Sequence, residues 1–428
     1  MKLKNIWLGF SKKKRIDKIK VLYDNNIIND NYKIILENNT TLPLEIAEQM
    51  TENTIGTFAL PFSIVPNIMV NNINYTVPMV TEEPSVVAAC SYSGKLITKS
   101  GGFTTEILDR KMIGEVALFD IDDFEKAEKV ILQNKDRILN LANDSHPSIV
   151  TRGGGAIDIT TKILKDKDTS FLIVYLTADV KEAMGANILN NMLEGIKPLL
   201  EEITNSKALM AILSNYATES LVKSICAIDI KYLSNDKKEA FNIAKKIELA
   251  SKFAKMDIYR ATTHNKGIFN GIDAAVIATG NDWRAIEAGS HAFATKNGKY
   301  EGLTNWIFDE TNKKLIGELT LPMPIASVGG SIGLNPTVKA AFNILNNPDA
   351  KTLAGIIVSV GLAQNFAALK ALVSTGIQKG HMKLQARSLA LFAGAKDNEI
   401  DIVVEKLLTS KFMNLETAKN IISNIRKF

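Results

Sequence analysis

The spacing of apolar positions changes several times along the chain. From Ile16 to Met50 apolar residues recur at helical spacing, broken at Thr40-Thr41-Leu42-Pro43. This predicts an N-terminal arm of short amphipathic helices. From Ile64 to Val80 the pattern alternates around an Asn-rich turn at Asn71-Asn72 and Asn74, which predicts paired strands. A helix should start at Glu83-Pro84-Ser85, because proline suits a first helical turn and Val86, Val87 and Ala89 continue an apolar face.

Between Ile113 and Leu213 strand and helix patterns mix. Gly114 to Phe119, Ala156 to Ile163 and Phe171 to Thr177 read as strands, and Phe124 to Ala142 reads as a helix. After Gly185 a long helix keeps Leu189, Met192, Leu193, Ile196 and Leu200 on one face. The region reads as an α/β insert with a mixed or antiparallel sheet. Beyond Leu221 the chain reads as helices with glycine-containing turns, until Gly376 and Gly380 open a smaller helical unit. The predicted divisions are 1–110 and 220–375 for a large domain, 111–219 for a small inserted one and 376–428 for a C-terminal one.

Composition narrows the function. With 428 residues, 46% hydrophobic and 23% charged, the chain can bury the cores of two or three domains. Its net charge of +5 is spread over 51 basic and 46 acidic residues, without the basic stripe that a nucleic-acid groove needs. Lys12-Lys13-Lys14-Arg15 reads as a solvated helix start. Cys90 and Cys226 are too distant for a CxxC pair and too few for a disulfide framework, so a reducing compartment is expected. The apolar run within Met1–Phe10 is too short for a signal peptide, and no stretch approaches the ~20 apolar residues of a membrane span. The expectation is a soluble cytoplasmic protein with no membrane or nucleic-acid partner.

No GxGxxG, GxxxxGK or HExxH motif occurs, and the GxSxG match at Gly329–Gly333 reads as a glycine-rich turn. Short polar islands remain. Thr81-Glu82-Glu83-Pro84-Ser85 places two carboxylates before a helix, where acidic residues also favour the helix dipole. Tyr259 to Gly271 packs Arg260, His264, Asn265, Lys266 and Asn270 into what reads as a glycine-bounded loop, followed by Asn281-Asp282-Trp283-Arg284. Lys266 and Asp282 could form a structural ion pair or a tuned acid. Glu182-Ala183-Met184-Gly185-Ala186-Asn187 lies between a strand and a helix, where free N–H groups and the dipole suit a phosphate, although close packing alone would also favour small residues. His381 follows Gly376 and Gly380 as possible hinges, His146 reads as loop surface and His291 as helix core.

Taken in order, Glu52-Asn53-Thr54-Ile55-Gly56, Glu83-Pro84-Ser85, Glu182 to Asn187, Thr263-His264-Asn265-Lys266-Gly267, Gly280 to Arg284, Gly361-Leu362-Ala363-Gln364-Asn365 and Gly380-His381-Met382 resemble class II 3-hydroxy-3-methylglutaryl-coenzyme A (HMG-CoA) reductases. The resemblance runs from about residue 10 to the C-terminus. It implies an α+β protein with a large, mostly helical substrate-binding domain, an inserted ferredoxin-like dinucleotide-binding domain and a C-terminal helical flap. The implied reaction reduces HMG-CoA to mevalonate and free coenzyme A. By the same resemblance Lys266 polarises the thioester oxygen, Asp282 holds and tunes Lys266, Glu83 supplies protons and His381 protonates the leaving thiolate. Ser85, Arg260 and Asn270 would contact the hydroxymethylglutaryl group. Glu182, Ala183, Met184, Gly185, Ala186 and Asn187 would hold the dinucleotide, with Asn215, Gln364 and Asn365 near the nicotinamide. The family implies a homodimer or a multiple of it, with sites shared between subunits and no metal.

Three departures from the family pattern stand out: Glu182 replaces an aspartate, Thr54 a valine, and His146 stands where members preferring the unphosphorylated cofactor carry an aspartate facing the ribose. A carboxylate there would repel a 2′-phosphate, so His146 with Arg152 nearby favours NADPH, with NADH possible and Asp144 two residues away. The alternatives are the same enzyme oxidising mevalonate with NAD, or a coenzyme A or nucleotide binding module without catalysis.

Overall fold

The computed structural model describes residues 6–330, 332–374 and 377–426, with backbone alone at 377–381, 383 and 384. Ten strands are described: β1 (Phe62–Val70), β2 (Ile73–Val80), β3 (Phe103–Ile107), β4 (Met112–Phe119), β5 (Gly155–Asp166), β6 (Thr169–Asp179), β7 (Lys207–Leu213), β8 (Leu221–Asp229), β9 (Thr304–Asp309) and β10 (Lys314–Pro322). They form two sheets, one in the order β2-β1-β3-β8-β10-β9 and the other β5-β6-β4-β7.

The first sheet begins with the hairpin that the alternation predicts. Asn71 and Asn72 both take positive φ, 49° and 64°, as a two-residue turn requires. Strands β8, β9 and β10 correct the expectation of helices and turns beyond Leu221. Along β8 the inward positions Val222, Ser224, Cys226 and Ile228 alternate, but Ser224 interrupts the apolar signal. Its hydroxyl is satisfied inside the core by Ser359, at 2.9 Å.

Behind this sheet lie two long helices, Ile258–Ala278 and Ala350–Val373, which pack against each other. Small residues allow the approach: a Cβ on Gly271 would sit 3.0 Å from Gln364 Cβ and Val360 Cγ1. The helix Ala350–Val373 also corrects the expectation that no segment is long and apolar enough to span a membrane. Its most apolar window is 72% buried, which identifies it as the central helix of the large domain. Cys90 and Cys226 lie free in the same core, and burial pushes the Cys90 thiol up to about 12.

The second sheet is wholly antiparallel, its pairs being β5–β6, β6–β4 and β4–β7. One strand, helices, two strands, one helix and a last strand, in that sheet order, make the expected ferredoxin-like insert. The region predicted as one helix from Phe124 to Ala142 is two, Phe124–Gln133 and Lys135–Asp144. Asn134, at φ −100° and ψ 16°, leaves helical geometry between them, and its side chain bonds back to the Val130 carbonyl. Together with Ala186–Thr204 these helices bury Ile131, Ile138, Met192 and Leu193 against β4 and β6.

The chain passes between the sheets at 108–111 and at 214–220, and the two crossings hydrogen-bond to each other. Leu108 N donates to Leu221 O at 2.9 Å and Lys111 N to Glu219 O at 2.6 Å. At the C-terminus, Ile377–Phe392, Ile400–Thr409 and Leu415–Arg426 pack on a core of their own around Ala390, Val403, Val404 and Leu407.

Candidate active site

Glu83 lies in the turn joining β2 to the helix Val86–Lys99. Its neighbour Ser85 adopts φ 78°, a left-handed conformation costly for a serine, and its hydroxyl makes no capping bond. The turn therefore presents the Glu83 carboxylate and the Ser85 hydroxyl without using either on the helix end.

Lys266 comes from the helix Ile258–Ala278, which corrects the predicted glycine-bounded loop. Asp257 caps this helix by accepting from Arg260 N at 2.7 Å, and Ala261, Ile268, Phe269, Ile272 and Ala275 form its buried face. Of the glycines that suggested a loop, Gly271 instead admits the neighbouring helix. Lys266 Nζ donates to Glu83 Oε2 at 2.6 Å, and both side chains remain accessible, at 61% and 41% of their full exposure. Asn270 and Asp273 follow Lys266 on the same helix face at i+4 and i+7. The Arg260 guanidinium is half-buried, burial lowers its pKa, and it forms no ion pair among the described residues.

Asp282 does not hold Lys266 within this chain. It caps the helix Trp283–Phe293 through Arg284 N and Ala285 N, at 3.1 and 3.2 Å, and pairs with Arg284 Nε at 3.3 Å. Sequence reasoning also missed the carboxyl beneath Lys266. Asp273 lies beside Glu287 of the helix Trp283–Phe293, and its Oδ1 is buried without a hydrogen-bond partner among the described residues. Burial and Glu287 push its pKa up to about 8 against the opposing pull of Lys266. No sequence signal marks the pair, since the two acids lie on different helices.

His264 and Asn365 belong to the core. His264 is 1% exposed, and its Nε2 meets Thr304 Oγ1 at 2.5 Å and Asn365 Nδ2 at 3.1 Å. Burial and the nearby Arg260 and Lys255 press its pKa down to about 3. Asn365 Oδ1 accepts from Thr304 Oγ1 and Trp306 Nε1, so its amide is taken up internally. Gln364 is buried with Oε1 unpaired, while Asn215 is exposed in the second crossing. His291 bonds Tyr300 at 2.7 Å through Nδ1. The side chain of His381 lies outside the described residues.

The segment Glu182–Asn187 joins β6 to the helix Ala186–Thr204. Gly185 caps that helix at φ 104°, and a Cβ there would meet Val180 Cγ1 at 2.6 Å, so only glycine fits. The first N–H groups of the helix receive no side-chain cap. His146 stands beside the same helix, its Nδ1 3.3 Å from Asn191 Nδ2. The Glu182 side chain instead turns towards the large domain, where it accepts from Ser327 Oγ and, at 2.8 Å, from Ala350 N.

The hydroxymethylglutaryl-coenzyme A reductase family model matches residues 12–386. This chain belongs to that family. A reductase of Archaeoglobus fulgidus is 42% identical over 90% of this chain and 87% of its own length, and a probable one of Borreliella burgdorferi is 36% identical over 84% and 81%. The solved HMG-CoA reductase of Streptococcus pneumoniae superposes with a TM-score of 0.86 at 54% identity, covering 98% of this chain and 99% of that one. A second structure of that enzyme, described as class II and bound to NADPH in open conformations, gives a TM-score of 0.85 at 54% identity, over 86% and 100%. The class II assignment drawn from the polar islands therefore holds, and HMG-CoA reductase activity follows from the family.

Proposed function

We propose that this reductase works with Lys266 and Glu83 as its central acid and charge stabiliser, that it prefers NADPH, and that it forms mevalonate in the biosynthetic direction in the cytoplasm. The observation that carries the reading is the 2.6 Å pair between Lys266 and Glu83 at an accessible surface. Each reduction places negative charge on the oxygen of the former thioester carbonyl, so the Lys266 ammonium held by the Glu83 carboxylate meets that charge twice.

The cofactor, when bound, supplies one hydride per reduction. The bare helix start after Gly185 suits its phosphates, because its first N–H groups carry no side-chain cap. Ala183, Met184, Ala186 and Asn187 complete the loop, and His146 at its flank leaves a 2′-phosphate unopposed by a carboxylate. Arg260 has a guanidinium free for the carboxylate of the hydroxymethylglutaryl group, with Ser85 and Asn270 as further polar contacts. His381 would return a proton to the coenzyme A thiolate.

We also assign a homodimer. The extended segment after Glu52 leaves Ile55 and Phe58 102% and 89% exposed, and Met256 and Tyr259 at the junction of two helices are 81% and 84% exposed. A second subunit would cover these side chains and could bring its own Asp282 towards Lys266. The deciding assay supplies purified protein with HMG-CoA and follows NADPH and NADH oxidation in parallel. Two cofactors consumed per thioester with NADPH faster supports this reading, and a faster NADH reaction overturns the cofactor assignment in favour of the catabolic enzyme.

A further inference from the structure

The helix that carries Lys266 ends at Thr279 and the next is capped by Asp282, with Gly280 and Asn281 between. Gly280 takes φ 64°, which lets Gly280 N donate to Ile277 O and Asn281 N to Val276 O, both at 3.0 Å. The backbone thus closes the turn, and the Asn281 side chain reaches to another part of the chain. Its Oδ1 accepts from Ala326 N at 2.7 Å and its Nδ2 donates to Ala326 O at 3.1 Å. It therefore meets both polar groups of one residue, as a neighbouring strand would. Ala326 is a firm anchor, because Met323 and Ile325 just before it are fully buried. Met323 N donates to Ser220 O at 2.8 Å, and the Ile325 carbonyl accepts from the buried Arg110 guanidinium at 2.5 Å.

Asp282 follows this anchored residue directly. The bonds described for its carboxylate all fall on Oδ1, from Arg284 N, Ala285 N and Arg284 Nε, and the side chain stays 39% exposed. The direction in which it faces outward is set by the turn beneath it. We propose that Asn281 is a positioning residue for the reduction: by locking the turn to Ala326 it aims the Asp282 carboxylate out of its own chain, towards Lys266 of the partner subunit. The inference rests on the reading that Asp282 of one subunit serves Lys266 of the other. A second carboxylate there holds the ammonium in place for the oxygen that each reduction charges. A misplacement of ~1 Å at such a site costs about a hundredfold in rate. Only a carboxamide offers Ala326 an acceptor and a donor together, whereas aspartate would set a carboxylate against the Ala326 carbonyl.

The test uses the full chain with Asn281→Ala, Asp282→Asn and the two combined, and measures kcat, the KM for HMG-CoA and the melting temperature of each. Asp282→Asn removes the charge but keeps an oxygen for the helix start, since asparagine caps as well as aspartate. Expected are falls in kcat of about a hundredfold for Asp282→Asn and about tenfold or more for Asn281→Ala. The KM for HMG-CoA should hold within about twofold in both. The combined variant should match Asp282→Asn within about twofold, because a charge already removed cannot be misplaced. A merely structural amide would leave kcat at the parent value in the folded protein, or would multiply the two losses in the combined variant, and either result overturns the proposal. If Asn281→Ala melts below the assay temperature, Asn281→Asp, which keeps the bond from Ala326 N, takes its place with the same expectations. An unchanged kcat in Asp282→Asn overturns the underlying reading. A lowered kcat there beside an unchanged one in Asn281→Ala leaves that reading standing and overturns the role of Asn281.

Discussion

Lys266 and Glu83 meet at 2.6 Å across 183 residues of sequence, one from the middle of a helix and the other from a strained turn. Neither partner is buried, so the pair adds little to stability and its value lies in the charge it presents. Lys266→Met and Glu83→Gln should each lower kcat by about 10²–10³-fold. Thermal melting should stay close to that of the parent chain. A large fall in melting temperature alongside the loss of turnover would make the pair structural.

The buried Asp273 carboxyl beside Glu287 predicts an alkaline weakness. The folded-state pKa of Asp273 is raised, so the folded protein holds a proton that the unfolded chain releases from about pH 4 upward. Stability from this group is complete below that value and is lost as pH rises through about 8. Melting temperature followed from pH 5 to 9 should fall less steeply in Asp273→Asn, which keeps a donor towards Glu287. Parallel slopes in the two proteins would contradict the assignment.

His264 acts at the opposite end of the scale. Its folded pKa is depressed to about 3, so it is held neutral, and its contribution is present above the unfolded value near 6.5 and lost as pH falls from there towards 3. Replacing it by Gln removes the titration while retaining polar atoms beside Thr304 and Asn365. The variant should start less stable at neutral pH yet lose less on acidification between pH 6 and 4, read by chemical denaturation at each pH.

Cofactor choice should turn on His146. Substituting Asp places a carboxylate beside the helix Ala186–Thr204, where Asn191 now meets the imidazole. The ratio of kcat/KM for NADPH over NADH should fall by about tenfold or more, through repulsion of the 2′-phosphate and new bonds to the ribose hydroxyls. A ratio unmoved by the substitution would locate discrimination elsewhere, with Arg152 and Asp144 as the next positions to change.

Segments with a strong period were legible from sequence. The β1–β2 hairpin with its two asparagines, three of the insert's four strands and the long helix after Gly185 carry local signals that the tertiary structure keeps, while β7 was not foreseen. The helix Ile258–Ala278 was misread because Gly267 and Gly271 look like turn residues, whereas Gly271 lets another helix approach and a Cβ at Gly267 would make only ordinary contact. Strand β8 was hidden by Ser224, a polar residue facing inward to a partner 135 positions away. At the site, residue types announced Lys266 and Glu83, but only the fold shows that Asp282 is committed to a helix start. Arg110 and Glu182 bond to residues far away in the chain and Asp273 lies against an acid of the next helix, and no spacing rule reports such pairs.

Strands β3 and β8 are antiparallel neighbours, Phe103 facing Cys226 and Ile107 facing Val222, although the whole ferredoxin-like sheet lies between them in sequence. The small domain therefore occupies the position of a hairpin loop. Closing a loop of that length in an unfolded chain costs several times RT, and folding the insert first removes most of the cost by bringing its two ends together. The large sheet would then complete its centre only after the dinucleotide domain has formed, so damage to the insert would be inherited by the core of the other domain.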